Sequence, residues 1–257
     1  MKLGVVLSGG GIRGVAHLGL LKALEEEDIR IHAMAGTSAG SIIALFYSSG
    51  FTTERILEII QDIRTLRLAR PALSLTGVLN MTSVKQYISE FIKQDDFKEL
   101  KIPLFVAATD LARGETVYFS EGSVIDAVCA SSCIPVLFDP LVLNGRLYID
   151  GGILNNLPAE AIRSKCDLLL GCHSNPIDPN FSAKNAKDVM ERALMLSITR
   201  NAHLSKDICD YILEPEGLER YKVMDLSKAK DIYQIGYQEG KKFLAKSDLP
   251  DRLSNDV

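Results

Sequence analysis

Residues 34 to 46 read Met-Ala-Gly-Thr-Ser-Ala-Gly-Ser-Ile-Ile-Ala-Leu-Phe, and this stretch constrains the fold of the chain more than any other. An apolar run from Ile31 ends in Gly36-Thr37-Ser38-Ala39-Gly40, and a helix-like pattern resumes at once over 38–49. A buried strand that enters a helix with so few residues between must turn sharply. The turn lifts the Ser38 hydroxyl out of the sheet, where a base can reach it. Gly36 and Gly40 are expected because a side chain on either flank of so tight a turn would clash.

Gly-x-Ser-x-Gly alone is a common pattern, and its surroundings give it weight. A second glycine loop, Gly9-Gly10-Gly11-Ile12-Arg13-Gly14, follows the apolar run Leu3-Gly4-Val5-Val6-Leu7 and opens another helix over 14–27. In that helix Leu20, Leu21 and Leu24 cluster on one side while Lys22 and Glu26 point away. Strand then helix, twice, implies a parallel sheet with right-handed crossovers. Both glycine turns leave the same edge of that sheet. If the two strands are neighbours, the first loop's amides crowd around Ser38.

Further strands are expected at Ile102 to Ala108, Thr116 to Phe119, Asp167 to Cys172 and Tyr211 to Leu213. Helices are expected within 51–100 and near 123–131, 186–203 and 228–245. Asn144-Gly145, between two short apolar runs, signals a hairpin that delivers Asp150-Gly151-Gly152. With 257 residues and 47% hydrophobic content, the chain reads as one α/β domain over 1–245. That domain has three α/β/α layers about a mainly parallel central sheet. A polar tail, 246–257, is expected to fray.

A net charge of −4 and the lack of a basic patch with interleaved aromatics argue against a nucleic-acid partner. Cys129, Cys133, Cys166, Cys172 and Cys209 are odd in number and scattered, which reads as reduced thiols in a cytoplasmic protein. The first apolar run is too short for a signal peptide, and no run reaches the ~18 apolar residues of a membrane span. Any membrane contact is therefore expected to be peripheral. The sequence carries no signal for an oligomeric state.

A serine hydroxyl needs a base to become a nucleophile. Asp150 ends a strand and is followed by two glycines, so its carboxylate can approach another loop; partial burial would raise its basicity. The alternative is an Asp that only caps its own turn by bonding the amide of Gly152 or Ile153. The order Ser38, Asp150, His173 is also that of Ser-Asp-His esterases, and His173 follows a buried strand. His17 reads as a packed side chain in the first helix. The amides of Gly9-Gly10-Gly11, backed by a helix N-terminus, suit a developing oxyanion. Arg13 reads as a holder of that loop, a contact for an anionic group or a solvated first-turn residue.

Gly9-x-Gly11-x-x-Gly14 also fits a dinucleotide fingerprint. That reading requires an acidic residue at the end of the second strand, where Gly36-Thr37-Ser38 stands instead. No P-loop is present, and no His/Glu spacing suggests a catalytic metal.

Taken together, the two glycine motifs, Asp150-Gly151-Gly152 and the segment Ala130-Ser131-Ser132-Cys133-Ile134-Pro135-Val136-Leu137-Phe138 resemble the patatin-like phospholipase family in order and spacing, over residues 3 to about 175. The resemblance implies a Ser38–Asp150 dyad without histidine and an oxyanion hole built from Gly9, Gly10, Gly11, Arg13 and Gly14. It implies hydrolysis of acyl esters in phospholipids or other lipids with no metal or organic cofactor. A vestigial lipid-binding protein without turnover is the alternative of another class. From Ile63 to Ser89 no acidic residue occurs, while Arg64, Arg67, Arg70 and Lys85 are basic and leucines abound. That stretch reads as an ordinary packed helix, or else as a lid that touches anionic lipid.

Overall fold

The computed structural model describes residues 1–69, 81–135 and 137–254. At its centre lies an eight-stranded sheet: β1 Leu3–Leu7, β2 Ile31–Thr37, β3 Leu104–Asp110, β4 Glu115–Phe119, β5 Leu141–Leu143, β6 Arg146–Asp150, β7 Leu168–Cys172 and β8 Tyr211–Leu213. The spatial order is β5-β6-β3-β2-β1-β7-β8, with β4 also paired to β3. Strands β3, β2, β1, β7 and β8 run parallel, while β4, β5 and β6 pair antiparallel.

The strands β1 and β7 are apolar along their whole length because both faces of the sheet are covered. Leu3, Val5 and Leu7 of β1 and Leu168, Leu170 and Cys172 of β7 point into one large core. That core is closed by the helices α1 Ala16–Glu26, α2 Ala39–Ser48, α5 Val124–Ser131 and α7 Ala229–Lys246. Val6, Ala33, Ala35 and Leu169 point the other way, against Leu157, Ala159, Ile162 and Ala202. Short 3-10 turns between Ala159 and Lys165 and the helix α6 Ala186–Lys206 cover that second face. The fold has the expected three layers, and one outer layer combines short turns with the long helix α6.

The described part of the 51–100 region carries the expected helices, α3 Thr53–Ala69 and α4 Met81–Phe91. Of the Ile63 to Ser89 stretch read above as a packed helix or lid, residues 70–80 lie outside the described residues. Within α4, Met81 and Ile88 are buried and Lys85 is ion-paired to Asp126. One expectation differs: the chain past Lys246 forms the short helix α8 Leu249–Ser254, because Leu249 anchors it in the core. No helix among the described residues is long and apolar enough to cross a membrane.

Two features of the sheet position the site. Strands β1 and β2 are parallel neighbours, and Leu7 pairs with Gly36, so both glycine turns emerge side by side. Strand β3 runs on past the end of β2. The β2 pairing ends at Thr37–Ala107, and β6 takes over with Asp150–Ala108. Because β4 occupies the opposite edge of β3 through both stretches, β2 and β6 must share one edge. They abut end to end along it.

Candidate active site

That abutment brings Ser38 and Asp150 together from 112 positions apart in the chain. Ser38 follows β2 with φ 51 and ψ −124, a backbone state that costs a non-glycine residue about 1–3 kcal/mol and persists only where the surroundings fix it. Here they do. The Ser38 amide donates to Ser131 Oγ at 2.8 Å, and that hydroxyl donates to the Ala107 carbonyl at 2.6 Å. The Ser38 carbonyl accepts from the Ser41 and Ile42 amides and from Ser41 Oγ, which starts α2. A side chain at Gly40 would lie 2.3 Å from the Leu7 carbonyl oxygen, and one at Gly36 would strike the Gly40 backbone at 2.8 Å. The sterics expected of the two elbow glycines are thus present.

Asp150 is held from both sides: its amide donates to the Cys133 carbonyl at 2.9 Å, and its carbonyl accepts from Thr109 Oγ1 at 3.0 Å. Its carboxyl accepts from the Gly152 amide at 2.8 Å, so the turn-capping role weighed above is real. It is not the whole role, because the Ser38 hydroxyl also acts on this carboxyl and draws its pKa down. Both residues are only 5% exposed. Burial pushes the Asp150 pKa up to about 6, against the opposing pull of Ser38 and Gly152. A carboxylate that titrates near neutrality is a far better proton acceptor than one in water.

The glycine loop lies on the other side of the serine. A side chain at Gly9 would come 3.1 Å from Ser38 Cβ. Three of the loop's amides are already committed: Gly9 donates to the Asn156 carbonyl, Ile12 to that of Val223 and Arg13 to that of Gly10. Among the described residues no acceptor is assigned to the amides of Gly10 and Gly11. Gly14 carries the loop against Ala39 Cβ at the start of α2. Arg13 ties three segments together, with Nε to the Tyr221 carbonyl at 2.8 Å, Nη2 to Glu219 at 3.1 Å and Nη1 to Pro176 at 3.4 Å.

The histidines stand elsewhere. His173 follows β7, and β1 separates β7 from β2, so it lies roughly 10 Å from the serine strand. Its Nδ1 is hydrogen-bonded to Glu214 at 2.8 Å. His17 is fully buried, its Nε2 bonded to the Ser8 carbonyl at 2.8 Å, and burial holds its pKa down to about 4, which keeps it neutral. Among the described residues no group of three or more His, Cys, Asp or Glu is placed to hold a metal ion.

Sequence reasoning missed the polar residues that hold this arrangement. Ser131 fixes the elbow; Ser174 and Asn175 bond to the Gly9 carbonyl. Asn156 receives the Gly9 amide and leaves its own Nδ2 buried without a partner among the described residues. Their signal was faint but present: Ser174-Asn175 stands just past the end of a strand, and Ser131 lies within the Ala130–Phe138 segment.

A serine raised on a strand-to-helix turn, with open main-chain amides on one side and a buried carboxylate on the other, is a layout suited to acyl transfer. Known proteins narrow the class. Residues 5–163, more than half of the chain, match the patatin-like phospholipase family model, and the chain belongs to that family. The human patatin-like phospholipase domain-containing protein 6 is 29% identical over 279 residues, covering 93% of this chain but 20% of the relative. An uncharacterized NTE family protein of Mycobacterium tuberculosis is 32% identical over 194 residues, 71% of this chain and 54% of that protein. The chain thus spans about a fifth of the human relative's length. The crystal structure of VipD from Legionella pneumophila shares the fold, with a TM-score of 0.55 at 17% identity over 95% of this chain and 66% of that one.

Proposed function

We propose that the protein is a serine acyl hydrolase that cleaves carboxylic esters of lipids, phospholipids among them, through a Ser38–Asp150 dyad. The end-to-end meeting of β2 and β6 along β3, which sets Ser38 beside a buried carboxyl of raised pKa, carries the proposal. Membership of the patatin-like phospholipase family supports the lipid substrate class.

Asp150 accepts the proton of Ser38 as the serine oxygen attacks the ester carbonyl. The new carbon–oxygen bond pushes the carbonyl electrons onto oxygen. That oxyanion rests on the amides of Gly10 and Gly11, at the positively polarised start of the following helix. Collapse breaks the bond to the alcohol, which leaves with the proton held by Asp150. The acyl chain stays on Ser38. Asp150 then takes a proton from water as the hydroxide attacks the acyl carbon; the bond to Ser38 breaks, the fatty acid leaves, and Asp150 returns the proton to the serine oxygen. Every step uses side chains and amides of this chain.

Residues 1–245 are proposed as the catalytic unit, acting in the cytoplasm and meeting lipid peripherally. The five free cysteines suit a reducing compartment. The decisive experiment is mass spectrometry of a total lipid extract incubated with wild type and with Ser38→Ala. Wild type alone should deplete ester lipids and release fatty acid. Identical lipid profiles in the two samples would overturn the assignment, and binding without turnover would favour a lipid carrier.

A further inference from the structure

We infer that Asn175, with Ser174, is a positioning residue that sets the direction of the Gly10 amide; this rests on the serine hydrolase reading of the site. Three donors converge on one carbonyl oxygen, that of Gly9. Asn175 Nδ2 donates at 2.5 Å, Ser8 Oγ at 3.0 Å and Ser174 Oγ at 3.2 Å. All three residues are fully buried. Ser174 is itself fixed, since its amide donates to Ser8 Oγ at 3.0 Å. The Asn175 carbonyl accepts from Thr199 Oγ1 of α6 at 3.2 Å, which ties the cluster to the outer helix.

The Gly9 carbonyl and the Gly10 N–H belong to one peptide unit. This peptide bond is trans, and in a planar trans unit these two groups point in opposite directions. Ser174 and Asn175 stand just past β7. Pulling the Gly9 oxygen toward β7 therefore turns the Gly10 N–H the other way, toward β2, whose end carries Ser38. Gly10 has φ 157, and a Cβ there would lie 2.5 Å from Ser174 Oγ and 2.8 Å from Asn175 Oδ1. The clamp thus leaves room only for glycine at the residue whose amide it aims. An oxyanion donor held in place beforehand needs no reorganisation when charge develops, which is where its catalytic value lies.

The test compares wild type, Asn175→Ala, Asn175→Asp and Ser174→Ala in steady-state hydrolysis of a chromogenic acyl ester, and in the rate of inactivation by a fluorophosphonate. Asn175→Ala should lower kcat about 100-fold with KM within about threefold, and slow inactivation by a similar factor. Asn175→Asp should do no better, because a carboxylate cannot donate to the Gly9 oxygen. A folded Asn175→Ala enzyme with kcat near wild type, or with its loss confined to KM, overturns the inference. If Asn175→Ala shows no cooperative melting transition, Ser174→Ala decides. It should lose about tenfold in kcat at unchanged KM, and an unchanged kcat overturns the inference. Ser38→Ala separates the two levels. If that variant remains active, the serine reading fails and this inference falls with it. If it is dead while a folded Asn175→Ala is normal, the clamp alone is wrong.

Discussion

Thr37 and Asp150 occupy consecutive positions along one edge of β3, Thr37 opposite Ala107 and Asp150 opposite Ala108. Two strands that run in opposite directions, β2 and β6, both end there and meet at their C-terminal ends. The residue after Thr37 is Ser38, so the sheet itself sets the serine–carboxylate contact. No flexible loop has to find it. Several consequences can be measured.

The pH profile should report Asp150. The base works only when ionised, and burial sets its pKa at about 6. The kcat/KM for an uncharged acyl ester should rise about tenfold per pH unit below 6 and level off above about 7. A profile flat between pH 5 and 7 would mean that another group takes the proton.

Removing the carboxylate charge should stabilise the fold while it stops the reaction. The folded-state pKa of Asp150 is raised from 3.8 to about 6. The folded protein therefore binds more protons than the unfolded chain between those values, and stability falls as pH rises through that window. Asp150→Asn escapes this penalty. At pH 7.5 it should be more stable than wild type by about 1–3 kcal/mol, with the gap closing as pH falls from 6 toward 4. Chemical denaturation at both ends of that range measures it.

His173→Ala should keep most of its activity when assayed well below its own melting temperature. The side chain is bonded to Glu214 and lies across β1 from the serine strand. Loss of kcat in a folded variant would point to a three-residue mechanism.

Ser131→Ala should cost both stability and rate. The hydroxyl bridges the Ser38 amide and the Ala107 carbonyl in a buried setting. Its removal leaves two main-chain groups unpaired, a cost of about 1–3 kcal/mol. A loosened elbow should lower kcat by about 10- to 100-fold, seen in steady-state assays. A variant with wild-type kcat would show that the elbow keeps its shape without this bridge.

The sequence made some of this legible and hid the rest for physical reasons. Ser38 and the glycine loop announced themselves because steric demands at a strand-to-helix turn admit so few residue types. The helix over 123–131, the hairpin ahead of Asp150 and the strand at Tyr211–Leu213 followed from local pattern alone. The pairing of β6 onto β3 did not, since nothing in the residues of a short strand names its distant neighbour. Ser174 and Asn175 escaped notice for the same reason. A polar residue past a strand end looks like any loop residue until the carbonyl it serves is known. The end of the chain misled, because one buried residue, Leu249, outweighed the polar composition around it.

The most direct test of the Ser38–Asp150 pair is the rate and site of labelling by a fluorophosphonate, read by peptide mass spectrometry on wild type and Asp150→Asn. The proposed dyad requires a single adduct on Ser38 in wild type and labelling slowed at least 100-fold in Asp150→Asn. An adduct on any other residue, or equal rates in the two proteins, would contradict it.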